Sequence, residues 1–127
     1  MGAAARPLPE RIALVVDDED LICHLAARIL ADAGFRVFAA HCGEEAIALL
    51  STLDGRVQLV LSDIAMPGMS GEALAVAISQ RWPRTPVLLM SGQGGPTAHY
   101  PGRFLPKPFS AEALLDAVSE LVPLPKD

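Results

Sequence analysis

Five polar residues carry the chemistry open to this sequence: the acidic pair Asp17-Asp18, the lone Asp63, the hydroxyl of Ser91 and the ammonium of Lys107. Each closes a short apolar run, in VVDD, LVLSD, VLLMS and FLPK. Runs dense in Leu and Val without polar alternation suit strands covered on both faces, as in a parallel sheet. Open α/β sheets bind ligands in the crevice outside the carboxyl ends of their strands. Three carboxylates gathered there repel one another and resist ionisation. A hard divalent cation with oxygen ligands removes that penalty, and Mg2+ suits a site with few carboxylates that also takes in a phosphate. Lys107 adds a mobile positive charge and Ser91 a hydroxyl donor. Together they describe a site for phosphoryl transfer, where the chemistry is mainly positioning and charge stabilisation. Taken singly, Asp63 ahead of Met66-Pro67-Gly68 is a turn or capping residue, Ser91 a turn residue and Lys107 a surface lysine. The repeated placement at strand ends favours chemistry.

The elements that must position these residues can be read in order. Residues 1–10, with Pro7 and Pro9, form a tail or linker. Residues 12–16 form a buried strand. Ile22, Leu25, Ala26, Ile29, Leu30 and Ala33 recur at helical spacing with one apolar face, and Gly34 ends that helix. Residues 35–40 form a second strand, which Arg36 places at an edge. Gly43 opens a helix burying Ala46, Leu49, Leu50 and Leu53, and Asp54-Gly55 is a turn. The third strand leads to Asp63. Ser70 is the N-cap of a helix that buries Leu74, Ala77 and Ile78 and stops before Pro83.

Residues 86–90 form a fourth strand, and Phe104-Leu105 a short fifth. Pro106 cannot donate a ladder bond, so the fifth strand lies at the other edge. Ser110 caps a last helix burying Leu114, Leu115, Val118, Leu121 and Val122, which Pro123 stops. The glycines and prolines of residues 92–103 oppose helix, leaving room for at most one turn around residues 97–100. Strands alternating with helices imply a parallel sheet with right-handed crossovers. In the order 2-1-3-4-5, strands 1, 3 and 4 adjoin and their carboxyl ends converge. The domain is expected over residues 11–122, with a short tail over 123–127.

At 127 residues the chain can bury one proper core. It is 51% hydrophobic and 20% charged, which describes a globular chain. A net charge of −5, with Lys107 and Lys126 as its only lysines, argues against a nucleic-acid surface. No apolar run approaches the roughly 20 residues of a membrane span, and no signal peptide opens the chain. Cys23 and Cys42 form no CxxC motif and read as reduced thiols, which points to the cytoplasm. The pairs Cys23-His24 and His41-Cys42 suggest zinc, but neighbours on a helix point in different directions and cannot easily share one ion. Cys23 reads as a packed thiol and His24 as a partly exposed helix residue.

The motifs VVDDED, LSDIAMPGMSG, LLMSG and FLPKPF, in this order and in phase with the strands, resemble the receiver domain of two-component response regulators. The resemblance covers about Arg11 to Val122. It implies a flavodoxin-like, doubly wound, five-stranded parallel sheet of order 2-1-3-4-5. The fourth helix is shortened or missing, because the segment between Ser91 and Phe104 is shorter than the family's usual helix-bearing connection. It implies that Asp63 accepts a phosphoryl group from a phosphohistidine, held by a sensor histidine kinase or a histidine phosphotransfer protein. Asp18 and Asp63 would ligate Mg2+ directly, Asp17 through water, and the backbone carbonyl of Ala65 would complete the protein ligands. Lys107 would contact a phosphoryl oxygen, and Ser91 would move to hydrogen-bond the group after transfer. Phe104 takes the place of the switch aromatic, and the Lys107-Pro108 bond is usually cis in this family. Ala65 and Gln93 stand where the family's residues flank the path of attacking water. The chain would therefore phosphorylate itself as a signalling domain, stand-alone or cut from a hybrid kinase, and would not be a turnover enzyme. An Asp-nucleophile phosphatase needs a second Asp two residues after the first, where this chain has Ala65. The remaining alternative is an interaction module that keeps the fold and ignores phosphate.

Overall fold

The computed structural model describes residues 10–92 and 103–123. Their elements run β1 (Ile12–Val16), α1 (Asp20–Asp32), β2 (Arg36–Ala40), α2 (Gly43–Leu53), β3 (Val57–Asp63), α3 (Gly71–Arg81), β4 (Val87–Ser91), β5 (Arg103–Pro106) and α4 (Ala111–Leu121). The strands form one sheet in the order β2-β1-β3-β4-β5, with all four pairings parallel. This is the expected doubly wound sheet, with Arg36 and Pro106 in its two edge strands. The expectation for the connection between β4 and β5 falls on residues outside those described.

Alternation along the strands divides the core into two layers. Ala13 and Val15 of β1, Leu59 and Leu61 of β3, and Leu88 and Met90 of β4 pack with α1 and α4. Ile12, Leu14 and Val16 face the other way, with Val57 and Val60, onto α2 and α3. Val57 and Val60 share a face because the register shifts between Ile12 and Ala13, whose partners are Val57 and Leu59. Gln58 is the skipped residue, and such an extra residue flips every side chain beyond it. Without that shift, the carboxyl end of β3 would present its side chains to the wrong faces.

The helices keep their predicted starts. The Ser70 hydroxyl accepts from the Ala73 N–H at 3.1 Å, and that of Ser110 from the Ala113 N–H at 3.0 Å. Ser70→Ala should cost about 1 kcal/mol in urea unfolding. A cost near zero would show that this cap is redundant. α3 ends at Arg81, before Pro83, and the Asp54-Gly55 turn uses positive φ at both residues, 46° and 78°.

The buried stripes differ from the sequence reading. α1 buries Cys23, Ala26 and Leu30, with Ile22, Ile29 and Ala33 half-buried, while Leu25 is 45% exposed. Leu25 is thus corrected from core to surface: the stripe is centred nearer Cys23, which packs as a small hydrophobe. Leu49, Ala77, Leu115 and Leu121 are half-buried rather than buried, and Ala75 and Ala117 hold buried places instead. Close approach of a helix to the sheet is easiest at small residues, which apolar periodicity underweights.

Candidate functional site

Four strand ends meet at one rim. Asp63 is the last residue of β3, Asp17-Asp18 follow β1, Ser91 ends β4 and Lys107 follows β5. Because β1, β3, β4 and β5 lie side by side, these residues surround one crevice. It is an open cleft of about 550 Å3 whose walls include Asp18, Glu19, Asp63, Ala65, Ser91 and Lys107. Carboxylate oxygens of Asp17, Asp18 and Asp63 all lie within 4.8 Å of one another.

Asp17 is fully buried, and its surroundings fix it. Its N–H donates to the Ala40 carbonyl at 3.1 Å, and its Oδ1 accepts from the Glu19 N–H at 2.9 Å. Its Oδ2 accepts from Lys107 Nζ at 2.9 Å. The Cys23 thiol donates to its backbone carbonyl at 3.3 Å. Burial, with the Asp17 charge adding to it, pushes that thiol up to about 11, so Cys23 stays a neutral S–H donor. The packed thiol expected from the sequence therefore supports the strand end that carries the acids. His24 is exposed on α1.

Lys107 Nζ also lies 3.4 Å from Asp63 Oδ1 and 3.9 Å from Glu19 Oε1, and its side chain is only 12% exposed. Burial disfavours its charge. The hydrogen bond and negative charge of Asp17, joined by those of Asp63, outweigh that and hold the ammonium above its ordinary pKa. Asp63 is shifted upward too: burial is the main cause and the Asp17 charge adds to it. The Lys107 ammonium and the Ala65 N–H pull the other way without cancelling it. Repulsion within the crevice thus adds to burial at Asp63, and it comes from Asp17. The backbone N–H of Lys107 donates to the Ser91 carbonyl at 2.8 Å, the Lys107-Pro108 bond is cis, and Ser91 is buried on the cleft wall. Phe104 is 42% exposed on β5, outside the core.

Three clustered carboxylates, with Glu19 beside them, face one ammonium. The converging donors are all oxygens and their sum is negative, which fits a hard divalent cation. Among the described residues no other trio of His, Cys, Asp or Glu side chains converges in this way. The zinc pairs come apart: His41 Nε2 bonds Asp20 Oδ1 at 2.9 Å, the His41 N–H donates to Glu45 Oε1, and Cys42 precedes α2 half-buried.

Some contributors were not singled out from the sequence. Glu19 stands on the rim because it follows the acidic pair, and the run DDED carried that signal. Ser62, one residue before Asp63, hides its hydroxyl from the cleft and donates it to the Asp63 carbonyl at 3.0 Å. The close packing of Gly71 against the Asp63 backbone depends on how residues 64–70 turn, and no local pattern announces it.

With this geometry established, comparisons with known proteins agree. The family model described as the response regulator receiver domain matches residues 13–119. The sensor kinase CckA of Brucella abortus is 33% identical over 115 residues, covering 86% of this chain and 12% of that protein. The DNA-binding transcriptional regulator NtrC of Salmonella typhimurium is 37% identical over 117 residues, covering 87% of this chain and 24% of that protein. The chain thus spans under a quarter of the length of these two relatives. Among solved structures, the chemotaxis protein CheY4 of Vibrio cholerae superposes with a TM-score of 0.77 at 30% identity, covering 89% of this chain and 99% of that one. On its motifs, its sheet and this match, the chain belongs to the response regulator receiver domain family of two-component systems.

Proposed function

We propose that Asp63 is the phosphoacceptor of this domain, that the reaction depends on Mg2+, and that the donor is the phosphohistidine of a sensor histidine kinase or a histidine phosphotransfer protein. The observation that carries this reading is the gathering of Asp17, Asp18 and Asp63 within 4.8 Å beside a nearly buried Lys107. An Asp63 oxygen forms the new bond to phosphorus as the phosphorus–nitrogen bond to the donor imidazole breaks, and that imidazole regains a proton. Lys107 is placed to follow the phosphoryl oxygens, since it already spans Asp17 and Asp63. Ser91, on the cleft wall, donates its hydroxyl to the transferred group, and Phe104 is the aromatic whose packing follows that movement.

Mg2+ would be held by Asp18, Asp63 and the Ala65 carbonyl, and would supply charge neutralisation to the phosphoryl oxygens. Asp17 contributes through water, because both its carboxylate oxygens already have protein partners. The working domain is residues 11–122, it acts in the cytoplasm without binding nucleic acid or membrane, and phosphorylation changes which protein it engages. Among the described residues no helix is long and apolar enough to cross a membrane.

Incubating the chain with acetyl phosphate and Mg2+ and weighing the intact protein tests the reading. One added phosphoryl group is expected, and an unchanged mass would refute it. Asp18→Ala tests the ligand set. Asp18 is exposed and outside both core layers, so its loss should leave the fold intact and weaken Mg2+ binding by at least about tenfold in calorimetry. Wild-type Mg2+ affinity in that variant would remove Asp18 from the site.

A further inference from the structure

The peptide unit that joins Asp63 to Ile64 is held at both of its polar ends. On the β4 side, the Ile64 N–H donates to the Met90 carbonyl at 3.0 Å, one step beyond the Asp63–Met90 pair. The Asp63 carbonyl of the same peptide faces the other way, towards β1. That ladder has already ended, at the pair Val16–Ser62, and the Asp17 N–H has gone to Ala40 of β2. A buried carbonyl left without a partner is costly. Here the fully buried Ser62 hydroxyl supplies the donor, at 3.0 Å.

The outer side of this carbonyl is closed by Gly71, the first residue of α3. A Cβ on Gly71 would collide with the Asp63 carbonyl oxygen, and would lie 2.9 Å from both the Asp63 carbonyl carbon and Ile64 Cα. The Gly71 N–H donates to the Ile64 carbonyl at 2.9 Å, which draws the start of α3 onto the same segment. Backbone sits against backbone, so no side-chain rotation can relieve an added methyl.

We infer that Ser62 and Gly71 clamp the peptide following Asp63 and thereby aim the Asp63 carboxylate into the cleft. They are positioning residues, resting on the proposed phosphoacceptor role, and neither touches the reacting atoms. Gly55 provides the control. It lies in the turn between α2 and β3 at a φ of 78°, with nothing within 4 Å of an added Cβ, so alanine there strains the backbone at the far end of β3 without touching the Asp63 peptide.

The test is the initial rate of phosphoryl uptake from acetyl phosphate at saturating and at limiting donor, measured on the full chain with Mg2+, alongside the thermal midpoint. Gly71→Ala should lower the saturating rate by about 10- to 100-fold, as misplacement of a reacting group by about an ångström does, while the donor KM moves less than about threefold. Gly55→Ala should lose thermal stability yet keep its saturating rate within about twofold. Ser62→Ala should lower the saturating rate several-fold, and Ser62→Thr, which keeps the hydroxyl, should recover most of it. If Gly71→Ala does not fold, the Ser62 pair decides alone: equal rates for Ala and Thr overturn the clamp. A folded Gly71→Ala at the wild-type rate overturns it, as does a rate loss in both glycine variants that merely tracks stability. If wild type takes up no phosphoryl group, the phosphoacceptor reading fails and the clamp with it. If wild type is labelled and the variants match it, only the clamp fails.

Discussion

Asp63→Asn should take phosphoryl uptake from acetyl phosphate down to background and, in the same protein freed of metal, raise the thermal midpoint at neutral pH. Both effects follow from one environment. On the proposed function the ionised carboxylate is the nucleophile, and the neutral amide that replaces it cannot form the acyl phosphate. The folded chain, however, holds that carboxylate at a disadvantage, because it is buried and faces the Asp17 charge. Its pKa is raised above the unfolded value, so the folded state binds more protons between the two. Stability from this group is present below the ordinary carboxylate pKa of about 3.9 and is lost as pH rises through the raised folded value. At neutral pH ionised Asp63 therefore costs stability, and Asn removes that cost. Scanning the midpoint against pH should show the advantage of the variant shrinking on acidification and vanishing below the ordinary carboxylate range. Mg2+ should reverse the order, since a cation 100-fold above its Kd adds about 2.7 kcal/mol to a chain that binds it. A variant less stable than wild type in EDTA at pH 7 would show that the Lys107 contact outweighs burial and repulsion.

Lys107→Met carries the second large effect. Methionine keeps the length of the side chain and deletes its charge. Among the described residues it leaves the fully buried Asp17 carboxylate with the Glu19 N–H alone, and it leaves Asp63 facing Asp17 without the ammonium between them. Removing one partner of a buried ion pair costs about 3–5 kcal/mol, so the metal-free variant should be strongly destabilised above the carboxylate range. The rate of phosphoryl uptake should fall by about 100- to 1,000-fold, as when one preorganised donor is taken from a developing oxyanion. The two losses separate with Mg2+. A divalent cation can screen the carboxylates and recover part of the stability, but it does not replace the ammonium that, on the proposed function, follows the phosphoryl oxygens. Stability recovered by Mg2+ with the rate still depressed is the expected pattern. A rate that recovers in step with stability would reduce Lys107 to an ion-pair partner.

Much of the fold is written locally in the chain. Unbroken apolar runs identified four strands, Arg36 and Pro106 identified the edges, and Ser70 and Ser110 identified two helix starts. The candidate site was legible for the same reason: residues at the ends of adjacent parallel strands must meet, whatever their distance in sequence. What stayed hidden depends on packing between elements. Periodicity counted Leu25 as buried, yet α1 rests on the sheet through Cys23, Ala26 and Leu30, and Leu25 points outward. The sequence marks Cys23 as a packed thiol, but only β1 beneath it shows that the centre of the buried stripe falls there and not at Leu25. The same holds for Ala117, whose small side chain is buried while Leu115 and Leu121 stay half-buried. Ser62 looked like one more residue of a strand, and only the end of the β1 ladder explains why its hydroxyl is needed. Gly71 directly follows the Ser70 N-cap, and nothing in the local pattern gives it a role. Its use lies in the bare Cα that lets α3 begin against the backbone of Asp63.

The most direct test traps the acyl phosphate itself. The chain is incubated with acetyl phosphate and Mg2+, reduced with borohydride, which turns an aspartyl phosphate into homoserine, and mapped by peptide mass spectrometry. Homoserine at position 63, absent when EDTA replaces Mg2+, is the predicted result. Reduction at Asp17 or Asp18, labelling that ignores the cation, or an unmodified peptide carrying Asp63 would contradict the account.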